Sequence, residues 1–377
     1  MYYRNFHNAT IDDIDHPVIN KICSIVYALF TVINIAFAIP TLYIIVFKST
    51  RAMGVYKHYL LLEIVCSCFF TIIGFAWQPV FMWPLRAVYG AGIINKNVES
   101  SRIVVITYCT TIVCMIVIQS MQAFYQLVVS LHSENFMKKL VKNVYAVYAV
   151  FVINVGCIAG TGCILLIPNN NLSPEIMNAK FINDIPAMAP FIKSHPSFIG
   201  YHPDVTNNIE TIITFSLTVN ALLPFVVIIT SIVFYYIMKR LKRMVSQHTY
   251  AVHIMLLRSL FVQLSMQLIF IIIPIILCSL TLKIEAAWGS YVTTPSLTFA
   301  STHLFLEAIG IIYFVKPYRR YFSKTIRTLR RRVQATKVVS PSQNDNGVYN
   351  TYTEKKSITV SHRSTTNLWY LVSQNDS

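Results

Sequence analysis

Two acidic side chains, Glu63 and Glu307, stand inside long runs that carry almost no other charge. A carboxyl group in an apolar segment is expensive to bury, and its presence marks a functional site by default. Glu307 follows His303 by one helical turn, so on a helix the two share a face. The pair reads as an internal hydrogen-bonded link, as a contact for a polar ligand, or as a group that handles protons or ions. Glu63 lies about one turn inside its own run, where Lys57 or a loop cation is the expected partner. Gln119, Gln122 and Gln126 repeat at helical spacing in a third run, and Gln263 with Gln267 does so in a fourth at matching depth. Amides in lipid seek one another across helices, each bond contributing about 0.6 to 2 kcal/mol. Gln122, Gln126, Gln263 and Gln267, with Gln119, are therefore expected to form an uncharged latch, against a competing reading as generic polar packing. No nucleophile stands beside a base and no metal-type spacing occurs, so the expectation is a protein that is not an enzyme and carries no cofactor.

Those residues need helices to hold them, and the apolar runs supply seven: about Ile22–Phe47, His58–Trp83, Ile103–Leu131, Val144–Ile167, Thr211–Met238, Ser259–Leu282 and Ser296–Val315. Ser259–Leu282 has no charged side chain in 24 residues. As a helix it reaches roughly 36 Å, slightly more than a bilayer's hydrocarbon core of about 30 Å. Pro274 inside it removes a backbone donor, so a bend is expected there; Pro224 permits another in the fifth run. The composition agrees with a polytopic membrane protein: of 377 residues 55% are hydrophobic and 12% charged, and the mean hydropathy is +0.55. The net charge of +16 sits beside the apolar runs, which favours a membrane surface or an acidic protein partner over nucleic acid. All eight cysteines fall inside the runs and read as small packing residues.

Seven crossings place the two ends on opposite sides. With the amino end outside, 23 of the 31 Lys and Arg lie on the inner side, as the positive-inside rule requires. The expected organisation is an extracellular tail over 1–21, a bundle over 22–317, an amphipathic surface helix over 318–333 and a disordered cytoplasmic tail over 334–377. The first 21 residues lack a basic n-region ahead of an apolar core, so the first span is expected to act as its own insertion signal in a plasma-membrane protein. Asn8 in Asn8-Ala9-Thr10 is a candidate glycosylation site, and Asn171 a poorer one before Ser173-Pro174. The connection from Pro168 to Asn208 carries repeated prolines and is expected to be a stiff, irregular lid. Beyond Val315, apolar Tyr318, Phe322, Ile326, Leu329 and Val333 recur every three or four residues among many arginines, the pattern of a helix lying on anionic lipid. Trp77, Gln78, Thr107, Tyr108, Thr214 and His303, with Glu307, are the candidates to line a mostly apolar cavity for a small molecule.

Particular segments are similar to the nematode serpentine chemoreceptors of the Srh and Sri type. They are Tyr56-Lys57-His58-Tyr59-Leu60-Leu61-Leu62, Gln78-Pro79-Val80, Trp83-Pro84, Tyr89-Gly90, Gly92-Ile93, Leu257-Arg258 with Gln263 and Gln267, and Lys316-Pro317-Tyr318-Arg319-Arg320. The resemblance covers about residues 15 to 330 and implies an all-α, seven-helix G-protein-coupled receptor for environmental chemicals, placed in sensory neurons and their cilia. Its partners are then a small chemical ligand, a heterotrimeric G protein and the bilayer. Lys239, Arg240, Lys242 and Arg243, with Arg319 and Arg320, are the expected coupling cations. A ligand-gated channel or transporter is the alternative. The chain departs from related receptors in two places: Phe124-Tyr125-Gln126-Leu127 stands where an acidic residue and Arg are usual, and the loop over 168–208 has no cysteine for an outer disulfide.

Overall fold

A computed structural model describes residues 11, 15–50, 53–83, 85–94, 97–130, 136–166, 173–202, 204–205, 208–243, 245–286 and 288–338. Asn8, Asn171 and the tail beyond Val338 lie outside the described residues. The chain divides into two compact units, residues 1–327 and 328–377. Among the described residues, seven helices of the first unit are long and apolar enough to cross a membrane.

Spans one to three are α1 (Pro17–Phe47), α2 (Tyr56–Trp77) and α3 (Val98–Ser130). A short α4 (Phe136–Lys142) leads into span four, α5 (Val144–Leu166). Between spans four and five lie α6 (Pro174–Asp184) and α7 (Met188–Ser194), and span five is α8 (Asn208–Leu241). Span six is α9 (Gln247–Gln267), a π-turn over Leu268–Ile272, and α10 (Ile273–Lys283). Span seven is α11 (Gly289–Ala300) and α12 (His303–Phe314), after which α13 (Lys316–Val338) begins. Span seven is the centre of the bundle, with 67% of its apolar window buried, whereas span four has 6% and span five 11%.

The bend expected at Pro274 takes a definite form. Proline cannot donate to the carbonyl four residues back and its ring crowds that carbonyl. The helix accommodates by widening, and the Ile273 amide reaches back to the Leu268 carbonyl. In span seven the α-helical ladder breaks at Ser301–Thr302, and buried Asn34 of α1 repairs it. Its Nδ2 donates to the Ser301 carbonyl at 2.6 Å and its Oδ1 accepts the Phe305 amide at 2.9 Å. Open backbone groups have no water to turn to in a bilayer, so a side chain must serve them.

Span two stops at Trp77, six residues earlier than hydropathy suggests, because Gln78 turns left-handed (φ 47) and the chain leaves as a strand. Strands β1 (Pro79–Met82) and β2 (Ala87–Gly90) pair antiparallel, Pro79 opposite Gly90, and β3 (Ile199–Gly200) adds to β2 with Val88 opposite Ile199. The loop between spans four and five is thus tied to the one after span two, and its described part is regular rather than irregular. Its prolines fall where helices tolerate them: Pro174 opens α6 after the Ser173 cap, Pro186 separates the two helices, and Pro190 lies in the first turn of α7. Phe181, Met188, Phe191 and Phe198 pack with Val80, Met82 and Tyr89 into a small core of their own. Gly200 is required there, since a Cβ on it would lie 2.3 Å from the Phe181 ring. At the opposite, lysine- and arginine-bearing end, Tyr56, Tyr59, Tyr125 and Tyr318 pack into a second core with Ile44, Ile311 and Val315.

Candidate functional site

Below the sheet lies a cavity of about 330 Å³. Trp77, Phe81, Val88 and Tyr201 form its roof, Tyr108, Ile112 and Ile116 of span three one wall, and Ile275, Cys278 and Leu282 of span six another. Almost all of this lining is apolar, with a few polar groups at its edge, the usual construction of a small-molecule pocket. The buried Trp77 Nε1 and Arg86 Nε have no hydrogen-bond partner, and neither does the Asn220 Oδ1. Arg86 and Glu285 both hold left-handed backbone (φ 52 and 50) and pair at 3.6 Å, beside Lys283, which bonds Glu210 at 2.8 Å. Backbone strain of this kind persists only where the surroundings enforce it, and here it places a cation at the cavity mouth. On the sheet above, burial and the Asp15 carboxylate hold the Tyr89 hydroxyl above its ordinary range, consistent with its donation to Asp15 at 3.0 Å.

Deeper in the bundle, four spans converge on Glu63, which is wholly buried. Its Oε1 accepts the Gln119 amide at 2.5 Å, and its Oε2 accepts the Gln263 amide at 2.7 Å and the Gln122 amide. Spans three and six therefore meet through a carboxylate of span two. The Glu307 carboxyl of span seven comes within hydrogen-bonding reach of Glu63 and accepts from Ser67 Oγ at 2.9 Å. Two carboxyl groups in contact at such a place cannot both ionise, so the pair holds at most one charge. His303 Nδ1 stands 3.6 Å from Glu307 Oε2, beyond hydrogen-bond length.

The candidate ligand residues therefore separate. Trp77 and Tyr108 line the cavity; His303 and Glu307 belong to the buried polar cluster. Gln78 caps α2 and accepts from Ser24 Oγ at 2.7 Å, Thr107 is exposed and bonds its own Ile103 carbonyl, and Thr214 is exposed and bonded to Lys283 at 3.2 Å. The expected partner of Glu63, Lys57, gives way to three carboxamides. The expected amide-to-amide latch has a carboxylate at its centre instead. Gln122 and Gln263 reach it, whereas Gln126 sits one turn on beside Tyr56. Gln267 lines a separate cavity. Lys239 and Arg240 end α8, Lys242 and Arg243 follow it, Arg319 and Arg320 lie in the first turns of α13, and all six are exposed. A third cavity opens at this end between Gly54, Tyr125, Val129, Lys142 and His253, about 460 Å³ in volume.

Phe81, Arg86, Tyr201, Asn34 and Asn220 are the functional candidates that sequence reasoning passed over. A lone polar residue in a hydrophobic span, as Asn34 and Asn220 are, was the available signal for two of them.

No curated protein and no solved structure matches the chain. Residues 20–328, most of the bundle and the helix after it, match the family described as serpentine type 7TM GPCR chemoreceptor Srh. With seven membrane-spanning helices and a match over most of its length, the chain belongs to the Srh chemoreceptor family of seven-transmembrane receptors.

Proposed function

We propose that this receptor binds a small, mostly apolar chemical in the cavity beneath the sheet and signals to a heterotrimeric G protein at its basic end, with the amino end outside the plasma membrane. The observation that carries this reading is the apolar cavity edged by unpartnered donors, Trp77 Nε1 and Arg86 Nε. Such a lining favours a ligand with an apolar body and one hydrogen-bond acceptor, such as a ketone or ester. Buried donors left unpaired cost free energy, so an acceptor-bearing ligand is preferred over the pure hydrocarbon.

The signal has a physical route. Span three carries Tyr108 and Ile116 at the cavity and Gln119 and Gln122 at Glu63; span six carries Cys278 at the cavity and Gln263 at Glu63, with the π-turn between. A ligand shifts the equilibrium between two packings only by its differential affinity for them. Repacking span six about its π-turn changes both ends at once. At the basic end Lys239, Arg240, Lys242, Arg243, Arg319 and Arg320 present cations to an acidic surface.

Expression in reporter cells with a panel of ketones, esters, alcohols and organic acids tests this. Responses in a second-messenger assay that disappear in Val105→Trp, which fills the cavity from span three, at unchanged surface level, support the reading. Ion current without second messenger, or full sensitivity in Val105→Trp, overturns it.

A further inference from the structure

A second cavity of about 260 Å³ lies at the level of the buried cluster, between spans three, five and six. Its walls include Ala123, Phe124, Leu223, Val226 and the π-turn residues Leu268 and Ile272, and no charged side chain lines it. Phe124 and Val226 are exposed, 42% and 54%. On a membrane span such exposure is toward lipid, so this cavity opens sideways into the bilayer. Four polar side chains line it: Ser120, whose hydroxyl is bonded to the Ile116 carbonyl, Thr230 of span five, and the buried Gln119 and Gln267, 1% and 4% exposed. Gln119 has given its amide to Glu63 and keeps an unpartnered carbonyl oxygen; Gln267 has an unpartnered amide nitrogen.

We propose that this cavity is a second binding site, for an uncharged amphiphile that reaches it from the membrane and carries a hydroxyl group. A hydroxyl both donates and accepts, so one group meets the free acceptor of Gln119 and the free donor of Gln267 together. The apolar remainder fills the space beside Leu223 and the π-turn, which fits a medium-chain alcohol. A charged ligand has no counter-ion there, and a hydrocarbon leaves both amides unpaired. The site is separate from the cavity under the sheet, although Ile116 lines both. Its occupant touches Gln119, whose other end holds Glu63, and so acts on the four-span cluster without occupying the first site.

The test uses the full-length receptor in lipid nanodiscs, irradiated with a medium-chain primary alcohol carrying a diazirine, with adducts mapped by peptide mass spectrometry. Saturable adducts are expected on residues 120–127 and 223–230, displaced by excess unmodified alcohol. Ala123→Trp, which fills the space, is expected to reduce them about tenfold; Thr230→Trp fills the same cavity from span five should the first variant not reach the membrane. Gln267→Leu keeps the cavity and removes the donor. It is expected to weaken labelling by the alcohol about tenfold while leaving labelling by the matching diazirine alkane unchanged. Adducts that do not saturate, that spread over lipid-facing residues of other spans such as Ile25 and Leu29 of span one, or that persist in all of these variants overturn the proposal. Chemical responses through the first cavity are measured separately and do not bear on this outcome.

Discussion

Gln263 of span six donates its amide to Glu63 of span two at 2.7 Å, a bond between residues 200 positions apart in the chain. Glu63 takes two further amides from span three, so one carboxylate fixes the relative placement of three helices. The partners of this buried acid are carboxamide dipoles of two other spans.

Glu63→Leu leaves the buried Gln122 and Gln263 amides without an acceptor and Gln119 with only the Gln263 carbonyl, 3.5 Å away. Each unpaired amide costs about 1–3 kcal/mol. The thermal midpoint of the detergent-purified receptor is expected to fall well below that of Glu63→Gln, which retains an acceptor oxygen. Equal midpoints for the two variants would show that Glu63 does not organise the cluster.

In a double-mutant cycle on stability, Glu63→Leu with Gln263→Leu is expected to couple by about 1 kcal/mol, and Glu63→Leu with Gln267→Leu by less than about 0.5 kcal/mol. Gln263→Leu is also expected to raise signalling without ligand. Coupling of the same size in both cycles would count against the bond.

Gly200→Ala pushes a Cβ into the Phe181 ring and should destabilise the sheet by about 1–3 kcal/mol, read as faster proteolysis of the loop between spans four and five. Gly156→Ala and Gly160→Ala, where a Cβ meets nothing within 4 Å, serve as neutral controls. Equal proteolysis in all three would mean that β3 is not held as described.

Replacing Pro274 by Ala restores the missing backbone donor and removes the cause of the π-turn. Closing that turn rotates the helix beyond it by about 100°, carrying Cys278 away from its bond with Trp83 Nε1 at 3.1 Å. Potency of any agonist is expected to drop at least about tenfold with surface level retained. Unchanged potency would remove the π-turn from the signalling route.

Tyr318 is buried and bonded to Ser49 at 2.6 Å, and burial pushes its hydroxyl up to about 12. A group raised in the folded state contributes stability that is present below its unfolded value, near 10, and is lost as pH rises through the folded one. Thermal midpoints should therefore fall between about pH 10 and 12, and less steeply in Tyr318→Phe than in the native chain. Identical alkaline slopes would place the loss elsewhere.

Hydropathy made the seven spans legible, because a helix with no water around it must be apolar over its whole length. The faces of those spans were less legible. Thr107 and Tyr108 are adjacent and equally deep, yet only Tyr108 faces the cavity, and that depends on which neighbours pack against span three. Glu63 was visible as an anomaly while its partners were sought among cations, since charge pairing is the simplest remedy for a buried acid. Its carboxamide partners come from spans far apart in sequence. The sheet escaped notice for a different reason: strands of four, four and two residues are too short to leave a periodic signal.

The strand pairing of Val88 with Ile199 has a kinetic meaning. It stitches the roof of the chemical cavity to a segment that enters the fold a hundred residues later, making the lid a fastened cover instead of a flap. A molecule already inside leaves only when that cover unfastens or when it slips out between helices. On the proposed reading of that cavity, how long a stimulus lingers is set by the seam, and two receptors with identical pockets would differ in memory by their stitching alone.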